Sequence, residues 1–183
     1  MTTIIAVEYE DKAIIACDSK VTDGSGEWWS HPSCRKIRQV NKEILMGGSG
    51  EVAALDIALH IWQPPKTTVE DRKDYYHFVI AKLVPSLKEC FTANHYKWNP
   101  DKDEDDDDDK FNFLLVIGGQ VFQFGMDFGV VQRAEGRYGI GSGSSMALGA
   151  LRTGSTMQEA MELSAKHDDF SDAPFYFYEQ LRK

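Results

Sequence analysis

Apolar and polar positions along this chain fall into blocks of differing period. Thr3 to Tyr9 and Lys12 to Cys17 are β-rich runs split by the polar Glu10-Asp11, which predicts a hairpin whose first strand carries the N-terminus. Thr22 to Pro32, with Gly24, Gly26, Trp28-Trp29 and Pro32, predicts a loop. Lys36 to Val40 and Glu43 to Met46 predict a second hairpin that turns at Asn41-Lys42 and ends abruptly at Gly47, Gly48 and Gly50. From Glu51 the period changes: Val52, Leu55, Leu59 and Trp62 recur at helical spacing until Pro64-Pro65. Asp71 to Cys90 predicts a longer helix with Tyr75, Val79, Leu83 and Leu87 on one face, kinked or shortened by Pro85. Strands return at Asn112 to Ile117, Gln120 to Phe124 and Val130 to Arg133, separated by Gly118-Gly119 and Gly125. The segment Gly139-Ile140-Gly141-Ser142-Gly143-Ser144 leads into a helix at Met146 to Leu151, and Ser155 or Thr156 caps another that runs to about Lys166. Phe175 to Leu181 is a candidate closing strand.

Strands in blocks, separated by pairs of helices, predict an α+β protein in which antiparallel sheets are covered by helices, and not a parallel doubly wound sheet. At 183 residues the chain is expected to be one domain, spanning 1–183, without internal repeats. A hydrophobic content of 42% and an aromatic content of 11% are those of a packed globular protein.

Charge changes the picture in one place. The formal net charge is -9, of which Asp101 to Lys110 alone contributes -6. Such a run repels itself and predicts a solvated loop; as a cation site it lacks the glycine and ligand spacing of a calcium loop. An acidic surface disfavours binding through the phosphate backbone, which demands a basic patch, so no nucleic-acid partner is expected. No stretch of about 18 apolar residues and no basic-then-apolar terminus occurs, so no membrane partner is expected either. Cys17, Cys34 and Cys90 are too scattered for a metal site and suggest reduced thiols in a cytoplasmic setting; Cys34 is a weak candidate nucleophile.

The candidate chemistry starts at Thr2. Initiator methionine is removed when the next residue is small, and a terminal threonine then carries both a hydroxyl and a free α-amine that serves as its base. An amine with an ordinary pKa of roughly 7.7 to 8.0 suits that role, and a nearby lysine held by a carboxylate would tune it. Asp18, at the end of the second strand, and Lys36, at the start of the third, are placed to lie beside a first-strand terminus. Each also has an ordinary reading: Thr2 as a strand residue, Asp18 as a loop cap, and Lys36 as one cation in Arg35-Lys36-Ile37-Arg38. His31, His60, His77, His95 and His167 are too dispersed to support a histidine triad, and the Gly139 to Gly143 segment lacks the Gly-Lys-Ser/Thr ending of a phosphate loop.

Taken together, Thr2-Thr3-Ile4, Ala16-Cys17-Asp18-Ser19, Arg35-Lys36-Ile37-Arg38, Gly47-Gly48-Ser49-Gly50 and Gly139-Ile140-Gly141-Ser142-Gly143-Ser144 resemble the proteasome β-type, N-terminal-nucleophile (Ntn) hydrolases. Among them the chain looks most like the short bacterial HslV-type threonine peptidases. The resemblance runs in order over nearly the whole chain. It implies a four-layer αββα sandwich and a threonine endopeptidase that hydrolyses peptide bonds through an acyl-enzyme on Thr2. It implies roles for Lys36 in tuning the amine, Asp18 in holding Lys36, and the Gly50 N–H as oxyanion donor. Ser142, and Asp168 and Ser171 in Asp168-Asp169-Phe170-Ser171, match the family's support for the terminal amine; alternatively Ser142 is a turn residue and the other two a polar helix exit. The family implies polypeptide substrates, a homo-oligomeric ring, a possible ATP-dependent unfoldase partner, and no cofactor or metal. Gly48, where the family carries a side chain at the base of its substrate pocket, suggests a roomy pocket. The alternatives are a catalytically silent proteasome-like scaffold or assembly protein, and an Ntn amidohydrolase acting on a small amide. Trp28-Trp29 and the acidic run have no counterpart in the family.

Overall fold

A computed structural model describes residues 2–22, 28–29 (backbone only), 36–98 and 111–182. The first block comprises β1 (Ile4–Glu8), β2 (Lys12–Cys17), β3 (Val21–Thr22), β4 (Trp28–Trp29), β5 (Ile37–Asn41) and β6 (Ile44–Gly50). Helices α1 (Val52–Asp56), α2 (Tyr75–Phe78) and α3 (Val84–Ala93) follow; α1 continues into wide π turns at Ile57–Ile61, and α2 and α3 are joined by another π segment at Val79–Leu83. Strands β7 (Phe111–Ile117), β8 (Gln120–Gly125) and β9 (Arg137–Ile140), helices α4 (Ser144–Arg152) and α5 (Met157–His167), and strand β10 (Tyr176–Leu181) complete the order.

Two four-stranded antiparallel sheets form, β10-β2-β1-β9 and β5-β6-β7-β8. Strand alternation explains how they stack, because successive side chains leave a strand on opposite faces. Ile4 and Ala6 of β1 enter a core between the sheets with Ile15, Ile37, Leu114 and Val116, while Ile5 and Val7 meet Ala147, Leu151 and Met161 of α4 and α5. On the far side, Ile44, Met46, Phe113 and Leu115 leave the second sheet to pack on Leu59, Phe78, Leu83 and Leu87. The layers are therefore helix, sheet, sheet, helix: the expected αββα sandwich. Continuous apolar runs such as Ile4-Ile5-Ala6-Val7 arise because both faces are covered, each fully buried isoleucine contributing about 1.5–3 kcal/mol.

Several local expectations are corrected. The glycines after Met46 do not stop the hairpin: β6 runs to Gly50, paired with β7 from Ile44↔Ile117 to Gly50↔Phe111. At Gly47 a Cβ would lie 3.0 Å from Ile37 Cγ1, so glycine there relieves crowding between the sheets. Within the predicted Thr22 to Pro32 loop, Thr22 pairs with Trp28, and Val21 with Trp29 just before it. Val130 to Arg133 forms only the isolated bridge Gln123↔Val131, whereas Gly139 and Ile140, the start of the segment read as leading into a helix, belong to strand β9 (Arg137–Ile140) against β1. The Asp71 to Cys90 pattern buries its predicted face, with Tyr75, Val79, Leu83 and Leu87 all at 4% exposure or less. Pro85 sits in the first turn of α3, where its missing N–H costs least, and the wide turns before it carry the chain through. The acidic run 101–110 and Cys34 lie outside the described residues.

Candidate active site

Thr2 and Thr3 lead directly into β1, and the register Ile4↔Cys17 brings Asp18 opposite them. The Asp18 N–H donates to Thr3 O at 3.1 Å, which extends the ladder by one step and fixes the Asp18 backbone. The carboxylate is nearly sealed from solvent, at 1% exposure. Its Oδ1 accepts from Thr2 Oγ1 at 2.8 Å, from the Thr3 N–H at 2.9 Å and from Lys36 Nζ at 2.6 Å. Its Oδ2 accepts from the Lys20 N–H at 3.0 Å and the Asp172 N–H at 3.3 Å. Lys36 precedes β5 and reaches across with 8% side-chain exposure. Desolvating an ion pair is costly, and this carboxylate has both a counter-charge and four further donors, the Thr2 hydroxyl and the Thr3, Lys20 and Asp172 N–H groups.

Gly50 closes β6 with φ at 114°, a conformation that disfavours any side chain. It lines a small cleft of about 90 Å³ together with Thr2, Lys36, Thr22, Ser49 and Leu59. The expectation of a roomy pocket over Gly48 fails. A Cβ there would lie 2.4 Å from Leu55 Cδ2 and 2.8 Å from Phe113 Cε1, so helix α1 and strand β7 already fill the space the glycine opens. The rim is polar: Asp56 and His60 line the cleft, and Arg38 contacts His60 Nδ1.

A second cluster lies beside the first. Gly141, with φ at 88°, brings the β9–α4 turn against the Thr2 carbonyl, where a Cβ would be 2.1 Å from Thr2 O. The Gly143 N–H and Ser142 Oγ both approach Thr2 O at 3.4 Å. Helix α5 starts from a capping box between Thr156 and Glu159 and ends with Asp168 as its C-cap, the Asp168 N–H donating to Ser164 O at 2.8 Å. Asp168 Oδ2 then accepts from Ser142 Oγ at 3.0 Å and Ser171 Oγ at 2.5 Å. All seven sequence-predicted residues, Thr2, Asp18, Lys36, Gly50, Ser142, Asp168 and Ser171, thus converge on one end of the sandwich.

Two buried residues in this cluster carry no sequence-stated role. Thr3 Oγ1 lies 2.6 Å from Ser171 Oγ and 2.7 Å from Ser164 Oγ, and both Thr3 and Ser164 are at 0% exposure. Ser164 had a legible signal: it shares the buried stripe of α5 with Met157, Ala160 and Met161, a polar residue at an apolar period. Among the described residues no group of three His, Cys, Asp or Glu could hold a metal ion.

Residues 1–61 match the family model described as "Proteasome subunit". No curated protein matches the chain in sequence. Solved structures with the same fold include eukaryotic HslV from Trypanosoma brucei, at TM-score 0.67 and 18% identity, covering 97% of this chain and 98% of that one. BPH from Thiobacillus denitrificans in complex with epoxomicin has TM-score 0.73 and 19% identity over 99% of both chains. Anbu, the ancestral β-subunit from Yersinia bercovieri, has TM-score 0.69 and 15% identity, covering 98% of this chain and 81% of that one.

Proposed function

We propose that this chain, which has the proteasome β-type N-terminal-nucleophile fold, is a threonine peptidase that uses Thr2 once Met1 has been removed. The observation that carries the reading is the convergence of Thr2 Oγ1, the Thr3 N–H and Lys36 Nζ on Asp18 Oδ1, at 2.8, 2.9 and 2.6 Å. Few structural needs call for a buried lysine, a buried carboxylate and a terminal-strand hydroxyl on one oxygen.

In the proposed reaction the α-amine of Thr2 takes the hydroxyl proton as Oγ1 attacks the substrate carbonyl carbon. The C–N bond breaks, the amine product leaves with that proton, and water then hydrolyses the ester on Thr2. Lys36, fixed by Asp18, supplies positive charge beside the nucleophile. The Gly50 N–H is proposed as the donor to the developing oxyanion. Ser142 holds the Thr2 carbonyl from the other side, with Asp168 accepting from Ser142 and Ser171 behind it. Polypeptide substrates, a homo-oligomeric ring and an ATP-dependent unfoldase are proposed partners, in keeping with the HslV-like fold. A cytoplasmic location is proposed likewise; none of the described helices is long and apolar enough to cross a membrane.

A second reading, a silent scaffold, draws on the burial of Thr2 itself, which is only 3% exposed. Intact mass and N-terminal sequencing with and without epoxomicin separate the two. The peptidase reading expects a chain starting at Thr2, an epoxomicin adduct on that residue, and loss of adduct and peptide hydrolysis in Thr2→Ala. Retained Met1, with no adduct, would sink the peptidase reading and leave the scaffold.

A further inference from the structure

A hydroxyl on Thr2 that attacks a carbonyl carbon brings the side chain next to that carbonyl into the space Thr2 itself borders. That space is the cleft of about 90 Å³ at the end of β6. One helix face supplies much of its lining: Val52, Leu55, Asp56 and Leu59 follow one another at spacings of three, one and three, which puts them on the same side of α1 and its wide-turned continuation. The glycine-rich end of β6, from Gly48 to Gly50, supplies backbone. The lining is therefore aliphatic, with Asp56 exposed at its rim.

Depth is decided at Gly48, where Leu55 and Phe113 stand in the place a side chain would take, 2.4 and 2.8 Å from its Cβ position. These two neighbours are not equivalent. Phe113 is wholly buried, with its ring centre 5.2 Å from that of Phe111 and 5.6 Å from that of Phe124, so it belongs to the core. Leu59, at 4% exposure, belongs there too. Leu55 is half-buried: it packs against the same core and also faces the cleft. Its backbone is fixed, because its N–H donates to Glu51 O at 3.2 Å, one turn after the end of β6. Gly48 is fixed as well, its N–H donating to Lys36 O at 3.1 Å. Neither wall can drift away from the other, so the size of the side chain at 55 translates into the depth of the cleft.

We infer that Leu55 sets the substrate class of the Thr2 site: its side chain closes the bottom of the cleft, so the residue preceding the scissile bond is aliphatic, up to the size of leucine, and not aromatic. This rests on the peptidase reading above for the reaction itself. At roughly 30 Å³ for a water-sized group, a cleft of about 90 Å³ holds about three such groups. Leucine has three carbons beyond its Cβ, and phenylalanine has six. Leucine fills the cleft, whereas a phenyl ring needs the volume that Leu55 occupies.

The test gives the full-length protein two tripeptide coumarylamides that differ only in the residue before the scissile bond, leucine or phenylalanine. Wild type should show a kcat/KM for the leucine substrate at least about tenfold above that for phenylalanine. In Leu55→Ala that ratio should fall by about tenfold or more, through better use of phenylalanine. Both substrates are read on one preparation, so the ratio cancels any loss of folded protein. Leu55→Met, which keeps the volume, should retain the preference for leucine. Leu55→Val should shift the ratio the same way as alanine but less, and serves if Leu55→Ala does not fold. Tripeptide epoxyketones ending in leucine or phenylalanine, scored by intact mass for an adduct on Thr2, should follow the same order in each variant. A wild type that prefers phenylalanine, or a ratio unmoved in the folded variants, overturns the role of Leu55 and leaves the peptidase reading standing. No turnover of either substrate and no adduct from either epoxyketone overturns the peptidase reading, and the role of Leu55 with it.

Discussion

Two buried carboxylates flank the same stretch of backbone, and their surroundings differ. Asp18 has a cation 2.6 Å away and backbone N–H donors on both oxygens. Asp168, among the described residues, is met at its side chain by the hydroxyls of Ser142 and Ser171. A carboxylate that shares a buried site with an ammonium is held as one half of an ion pair, and its donors cannot turn round. Hydroxyls both donate and accept, so a site built from them can rearrange its hydrogen bonds without stranding a charge. The site therefore joins a fixed electrostatic half, Asp18 and Lys36, to an adaptable half, and the Thr2–Thr3 peptide is the seam.

The largest expected effect breaks the fixed half. Asp18→Ala strands Lys36 as a buried charge and removes the acceptor of Thr2 Oγ1, so stability should fall by about 3–5 kcal/mol in chemical denaturation and peptide hydrolysis should disappear. Asp168→Asn should be milder, because an amide oxygen still accepts from Ser142 or Ser171 and no cation is stranded. A loss of about 1–2 kcal/mol is expected, with a folded protein whose hydrolysis is reduced and not abolished. Equal losses in the two variants would contradict the contrast between a paired and an unpaired carboxylate. Gly143→Ala sharpens the comparison from the adaptable side: its Cβ enters the hydroxyl cluster, and overpacking should lower stability by about 1–3 kcal/mol. Gly149→Ala, on the same helix α4 with nothing within 4 Å of its Cβ, is the control and should be neutral or slightly stabilising.

These halves were not equally legible. Asp18 and Lys36 are visible in the sequence because strand periodicity places the end of one strand and the start of another beside the terminus, and charged residues next to apolar runs stand out. The block order of strands and helices was legible for the same reason and predicted antiparallel sheets covered by helices, while the four-layer αββα stacking came from the family resemblance. Thr3 and Ser164 were not picked out. Thr3 is ordinary locally, and Ser164, although a polar residue on the apolar stripe of α5, takes its meaning from a contact across 161 positions that no period encodes. Gly48 misled in a similar way. A missing side chain reads as space, but Leu55 and Phe113 occupy it, and only the packing of α1 on β6 and β7 shows that. Strand β9 was hidden because its Gly139 makes the run look like a turn, whereas a Cβ there would sit 3.0 Å from Leu148 Cδ1 and push α4 off the sheet.

The smallest expected effect uses a third carboxylate as a reference. Asp71 sits at the surface end of the helical layer, where Lys82 Nζ donates to it at 2.7 Å and Thr68 donates through both its N–H and its hydroxyl. The Lys82 hydrogen bond, with Thr68, holds the Asp71 carboxyl down at about 2, below the usual carboxylate value. A group whose folded pKa is depressed stabilises the protein above its unfolded value and ceases to do so as pH falls through the folded one. The contribution of Asp71 should thus be complete above about pH 4 and fade between about pH 4 and pH 2. Wild type and Asp71→Asn should differ modestly in denaturant midpoint at pH 7, converge near pH 2, and converge earlier in high salt because Lys82 is 46% exposed. Asp18→Asn, with its lysine only 8% exposed, should instead keep its deficit in high salt. A salt response as large at Asp18 as at Asp71 would mean that the Asp18–Lys36 pair is open to solvent, and the contrast between the two halves of the site would lose its physical basis.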